Sequence, residues 1–277
     1  MNYKIVADSA SNVFEVQGVD YSVAPLKIIC GEKEYVDLPG LDVSAMTDEL
    51  IESKTAASTS CPNVSEWLDA FSGADCVFAV TITSNLSGSY NAAVRAGEEY
   101  VKANPSARVH VFDTLSAGPE MRLVIEVLTS LCQNGTGFDE IVNEINNYMK
   151  KTHLLFCLES LTNLARAGRV RPAMAKLAGI LGIRVVGKAS EEGTLEEVRK
   201  TRGAEKGIAS VMSEMLSTGF DGGKVRIAHC RNEAAAETLR SVILSAFPES
   251  DVRIEECAAL CSYYAEVGGY LVGYESK

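Results

Sequence analysis

Three short stretches place hydroxyl and amide side chains in front of helix-forming sequence. They are Asp8-Ser9-Ala10-Ser11-Asn12, Ser58-Thr59-Ser60-Cys61-Pro62-Asn63 and Thr83-Ser84-Asn85-Leu86-Ser87-Gly88-Ser89. Hydroxyls are neutral donors, and the free N–H groups at a helix start add positive partial charge, so together they suit a carboxylate or phosphate without a buried counter-cation. Capping is the ordinary role of such residues, and one loop alone would be read that way. Three in one half of the chain point further. A fourth stretch, Leu158 to Val170, reads as a short helix stopped at Gly168 with Arg169 behind it. That cation either complements the helix dipole or holds an anion.

Other chemistries are poorly supplied. The chain has no GxSxG elbow, no GxxxxGK[ST] loop and no GxGxxG after a strand. Its three histidines, His110, His153 and His229, are far apart, and His229, closing the strand-like run Lys224 to His229, is the best placed for function. The alternative reading is therefore a serine-dependent small-molecule hydrolase or acyl transferase with Ser87 or Ser89 as nucleophile and His229 as base. The eight cysteines form no CxxC pair and sit mostly in apolar runs. They read as reduced core thiols of a cytoplasmic protein, with no metal site.

These residues need a scaffold. Tyr3 to Ala7, Ser22 to Ile29, Cys76 to Thr81, Arg108 to Phe112, His153 to Leu158, Lys224 to His229 and Asp251 to Glu255 are predicted as strands, several apolar on both faces. Helical stripes lie between them. One is Val64, Trp67, Leu68 and Phe71 behind an Asn63-x-x-Glu66 cap; others start at Tyr90, Phe138, Ile208 and Leu239. Arg184 to Arg199, around Glu191-Glu192-Gly193, reads as a hairpin. The alternation predicts an α/β protein of two lobes, 1–150 and 151–277, with mainly parallel sheets flanked by helices.

The chain has 277 residues, 26 Lys and Arg against 37 Asp and Glu, and a net charge of −11. Such a balance disfavours nucleic-acid binding and attraction to anionic membranes. The charge is uneven, because Arg166 to Lys206 holds ten basic and five acidic side chains, leaving −16 for the remainder. The N-terminus carries no signal-like apolar run, and no stretch approaches the roughly 18 apolar residues of a membrane span.

Asp8-Ser9, Thr59-Ser60-Cys61-Pro62, Thr83-Ser84-Asn85-Leu86-Ser87-Gly88-Ser89-Tyr90, Val111-Phe112-Asp113-Thr114 and Leu161 to Val170 occur in the order and approximate spacing of motifs in the DegV family, which this chain resembles over both lobes. Cys61 replaces a usual Gln and Asn85 a usual Gly. The resemblance implies a non-catalytic protein that encloses one long-chain fatty acid, such as palmitate or oleate, in a buried tunnel without a further cofactor. It also implies a partner, a separate fatty-acid kinase subunit to which the carboxylate is presented. A third reading is a regulatory protein whose lipid is only structural. Carried over by motif, Thr59 and Ser87 would bond the carboxylate, Ser60, Asn85 and Gly88 would shape the loops, and Arg169 would lie near the head group. Tyr263 falls nearest a histidine common in the family. A tyrosine keeps one hydrogen bond but does not titrate near pH 7.

Overall fold

The computed structural model describes residues 2–176 and 182–277. Residues 177–181, within the basic segment, lie outside the described residues. Strand β1 (Tyr3–Asp8) runs through a 3-10 turn, Ser9–Ser11, towards β2 (Asp20–Ala24). Pro25, which has no N–H to donate, interrupts the predicted strand Ser22 to Ile29. The chain then leaves for a small antiparallel sheet made of β3 (Lys27–Cys30), β4 (Lys33–Val36) and, after helix α1 (Val43–Glu52), β5 (Ser58–Ser60). Beyond it come α2 (Val64–Phe71), β6 (Cys76–Thr81), α3 (Ser89–Ala103), β7 (Arg108–Asp113), α4 (Pro119–Gln133) and α5 (Phe138–Tyr148). The capping box foreseen for α2 is formed: Asn63 Oδ1 accepts from the Glu66 N–H at 3.0 Å and the Asn63 N–H donates to Glu66 Oε2 at 2.8 Å.

The second half holds β8 (Thr152–Leu158), α6 (Thr162–Arg166), α7 (Pro172–Ala175), β9 (Ile183–Ala189) and β10 (Leu195–Arg202). It continues with α8 (Ala204–Ser217), β11 (Val225–His229), α9 (Glu233–Ala246), β12 (Val252–Glu256), α10 (Ala259–Ala265) and β13 (Tyr270–Glu275). The fold is α/β, as the alternation implied. Its first sheet, ordered β2-β1-β6-β7, is parallel throughout. The expectation of mainly parallel pairing needs correction for the six-stranded sheet β10-β9-β8-β13-β11-β12, where only β11 and β12 run parallel. The hairpin β9–β10 and the C-terminal strand β13, inserted between β8 and β11, impose that antiparallel pattern.

The layers follow from which strand faces are apolar. Trp67 and Phe71 of α2 and Ala93 and Ala96 of α3 cover one face of the parallel sheet, against Val6, Val77 and Ala79. On the other face, Ile5 and Phe78 meet Met121 and Val124 of α4 and Ile141 and Ile145 of α5. The far side of the six-stranded sheet is closed by Val211 and Met215 of α8 and Leu239 and Ile243 of α9. Helix α4 stands between the two sheets. A Cβ at Gly273 of β13 would lie 2.4 Å from the Glu120 backbone nitrogen, so only glycine permits that approach. Arg226 of β11, 1% exposed, donates to both Glu126 oxygens of α4 at 2.8 and 2.7 Å and to Asp251 Oδ2 at 2.7 Å. No helix among the described residues is long and apolar enough to cross a membrane.

Candidate functional site

In the parallel sheet, β1 connects to β2 on one side while β6 connects to β7 on the other. The carboxyl ends of β1 and β6 therefore flank the switch point at which ligands of open α/β sheets bind. A cavity of about 310 Å³ opens there and extends between the sheets, at the lower end of the range typical of small-molecule sites. Its walls are mostly aliphatic and aromatic: Leu26 and Ile82 from the first sheet side, Leu154, Phe156 and Leu158 from β8, and Leu271 from β13. Its polar groups are few. Thr59 and Ser60 enter from β5 and its following residue Cys61, Ser87 and Gly88 from the loop after β6, Arg169 from beyond α6, and Tyr264 from α10.

Each polar element has a local cause. Thr59 is held by the pairing of β5 with β3, opposite Ile28. The loop after β6 is folded on itself, with Leu86 and Ser87 donating to the Thr83 carbonyl at 3.1 and 3.2 Å. Ser87 Oγ accepts from the Ser89 N–H at 3.3 Å. Gly88 meets the neighbouring loop closely, since a Cβ there would stand 3.1 Å from Cys61 Sγ. Helix α6 ends at Gly168, φ +68°, with the Gly168 N–H on the Ala165 carbonyl and the Arg169 N–H on the Leu164 carbonyl. That left-handed cap turns Arg169 out of the helix and towards the cavity. Its guanidinium is solvent-exposed, and its only side-chain bond among the described residues is to the Ala167 carbonyl at 3.3 Å.

Of the seven residues expected at the site, the structure brings together Thr59, Ser60, Ser87, Gly88 and Arg169. Asn85 stands apart: exposed, it donates from Nδ2 to the Glu192 carbonyl at 2.5 Å, tying the β6 loop to the tip of the β9–β10 hairpin. Tyr263 also points elsewhere. Its hydroxyl donates to the Ala57 carbonyl at 2.8 Å, and it borders a separate depression with Arg166 and Asn163. Burial pushes the Tyr263 hydroxyl up to about 12. The next residue, Tyr264, reaches the cavity and places its hydroxyl 2.8 Å from Thr59 Oγ1. Sequence reading missed Tyr264 because adjacent helical residues face about 100° apart and only packing decides which looks inward.

The hydrolase alternative loses its base. Ser89 Oγ donates to Asp8 Oδ2 at 2.6 Å, while His229, buried, accepts at Nδ1 from the Asn232 N–H at 3.3 Å. No histidine lines the cavity among the described residues. Two carboxyls that sequence reading did not weigh as acids sit behind the polar end. Burial raises Asp8 to about 7, against the lowering effect of its bonds to Ser89 and the Ile82 N–H. Burial likewise raises Asp37 to about 6, where it accepts from the N–H groups of Ala259 and Leu260 and so caps α10, the helix that carries Tyr264.

Comparison with known proteins shows what shares this arrangement. The model of a family described as "Uncharacterised protein, DegV family" matches residues 2–276. A DegV domain-containing protein of Streptococcus gordonii is 38% identical over 279 residues, covering 99% of each chain. A solved DegV family protein of Eubacterium eligens, loaded with heptadecanoic acid, superposes with a TM-score of 0.96 at 41% identity, covering 99% of this chain and 100% of the other. The fatty acid kinase (Fak) B3 protein of Streptococcus pneumoniae, loaded with linoleic acid, gives 0.97 at 38% identity, with both chains covered in full.

Proposed function

Because the chain belongs to the DegV family, we propose that it binds one long-chain fatty acid, tail between the sheets and carboxylate at the hydroxyl end, and presents that carboxylate to a separate kinase. The observation that carries the reading is the make-up of the cavity, an apolar sleeve with its polar groups confined to one end. A buried carboxylate without donors would cost several kcal/mol or take up a proton. Thr59, Ser60, Ser87 and Tyr264 offer hydroxyls, and Arg169 offers charge. The tail needs only apolar contact, at roughly 0.8 kcal/mol per methylene, so a sixteen-carbon chain gains on the order of 10 kcal/mol before ordering costs.

Presentation to a kinase requires an accessible oxygen and no base. The nucleophile in acyl phosphate formation is the carboxylate, already ionised near neutral pH, so no proton has to be removed by this chain. Tyr263, nearest in sequence to the family's common histidine, turns away to the Ala57 carbonyl, so the head group is left to the hydroxyls and Arg169. The likeness to the fatty acid kinase B3 protein supports the kinase as partner.

Native mass spectrometry of the purified protein should detect one bound acyl chain, and delipidated protein should take up palmitate or oleate; a protein that refuses both overturns the reading. Thr59→Ala combined with Ser87→Ala should weaken binding by about 3 kcal/mol, a hundredfold or more, through loss of two bonds to a charged group. Unchanged retention would place the head group elsewhere.

A further inference from the structure

Among the described residues, five buried side-chain atoms lack a hydrogen-bond partner, and Asp8 Oδ1 is the only carboxyl oxygen of the five. Asp8 ends β1 and is wholly buried. Its Oδ2 accepts from the Ile82 N–H at 2.9 Å and from Ser89 Oγ at 2.6 Å, joining the end of β1 to both ends of the loop after β6. Ser89 opens α3, and its own N–H donates to Ser87 Oγ at 3.3 Å. With an acceptor site of Ser87 filled in this way, the single hydroxyl proton of Ser87 remains for whatever lies in the cavity. The residues on either side reinforce the placement. Ser9 Oγ accepts from the Leu26 N–H at 2.9 Å, and both Leu26 and Ala10 line the cavity.

A buried carboxyl with one oxygen outside any hydrogen bond is an expensive way to hold a loop, and a neutral acceptor such as asparagine would take the Ile82 and Ser89 bonds without a buried acid. We propose that Asp8 is a positioning residue for the fatty-acid head group, acting through Ser89 to orient Ser87 so that the Ser87 hydroxyl donates to the ligand carboxylate. The assignment rests on the fatty-acid reading above. The relay is directional: Asp8 fixes the Ser89 hydroxyl and the Ile82 amide, Ser89 fixes Ser87, and Ser87 meets the ligand. Asp8 itself does not touch the ligand.

The test compares two ligands of equal length, palmitate and hexadecan-1-ol, which share the tail and differ in the charged head. Binding of each to delipidated protein is measured by displacement of a fluorescent fatty acid, for the unaltered chain and for Asp8→Ala, Asp8→Asn and Ser89→Ala. Asp8→Ala and Ser89→Ala should weaken palmitate about tenfold or more while changing hexadecan-1-ol by less than about threefold. Asp8→Asn keeps an oxygen acceptor towards Ser89 and Ile82 and should recover most of the palmitate affinity. Should Asp8→Ala fail to fold, Ser89→Ala, which removes one hydroxyl, carries the test alone. Equal losses for acid and alcohol, or no loss in Ser89→Ala, would overturn the assignment. An unaltered chain that binds neither ligand would instead overturn the fatty-acid reading, and the assignment with it.

Discussion

Tyr263 and Tyr264 are neighbours of the same chemical type with different duties. Tyr264 faces the cavity and meets Thr59, while Tyr263 binds the Ala57 carbonyl from the other side of α10. Tyr264→Phe should therefore weaken fatty-acid binding about tenfold, besides a stability loss of about 1 kcal/mol for its bond to Thr59. Tyr263→Phe should leave affinity within about twofold and lower stability by about 1 kcal/mol, the usual value of one hydrogen bond. Titration with a labelled fatty acid and thermal melts of the two variants check these outcomes, and a larger binding defect in Tyr263→Phe would reverse the assignment. Thr59, Ser60, Ser87, Gly88 and Arg169 were legible in the sequence because loop chemistry marks them: hydroxyls before helices, and a cation after a helix-ending glycine. Asn85 lies in the same loop, but its side chain turns outward to a hairpin 107 residues away, a contact no local spacing encodes. Asp8 and Asp37 were readable as letters and not as buried acids, since burial is a property of the packed molecule.

Elements with one apolar stripe were equally legible, and α2, α3, α5, α8 and α9 all appear where their periodicity falls. Helix α4 was missed for the opposite reason. Enclosed by both sheets, it buries residues around most of its circumference, Met121, Leu123, Val124, Ile125 and Leu128 among them, so no narrow stripe stands out. Strand β13 was missed too, its Gly273 reading as a weak strand former until the proximity of α4 explains it. The Arg226 contacts with Glu126 and Asp251 join α4 to β11 and the start of β12. Arg226 is buried while Glu126 and Asp251 keep access to water, so Arg226→Ala should destabilise the protein by about 2–3 kcal/mol in urea unfolding. Arg226→Met, which fills the space but leaves the same two carboxylates, should recover little. A loss below about 1 kcal/mol in Arg226→Ala would show that the clamp does not hold the sheets together.

Across the whole molecule, the acidic excess of −11 includes carboxyls that the fold prefers neutral. Burial raises Asp8 and Glu120 to about 7 and Asp37 to about 6. A carboxyl raised in the folded state contributes its full stability below its unfolded value and loses it as pH rises through the folded one. Stability should accordingly fall between pH 5 and pH 8, by about 1–3 kcal/mol for each of the three groups, at about 1.4 kcal/mol per pH unit separating folded and unfolded values. Exposed carboxyls act in the other direction at lower pH: Asp48 beside Arg231 and Asp139 beside Arg108 are held below the usual range and lose their contribution only as pH falls through those values. Glu120→Gln should flatten the slope, because its amide can still bond Ser116 and Thr152 without being charged. Chemical denaturation at pH 5, 6, 7 and 8 checks this, and stability that rises over the range would contradict it.

The position of β13 has a consequence for the order in which the protein can form. Tyr270–Glu275 is the final strand in sequence, yet it occupies an interior place in its sheet, hydrogen-bonded to β8 on one side and β11 on the other. Leu271 of that strand is also part of the cavity wall, and the Thr59 to Tyr264 contact joins residues 205 apart. Until β13 is in place, β8 and β11 each keep an unpaired edge and the sleeve has no complete wall. Lipid capture thus waits on the docking of β13, because a sleeve that lacks this strand is open along the side Leu271 closes.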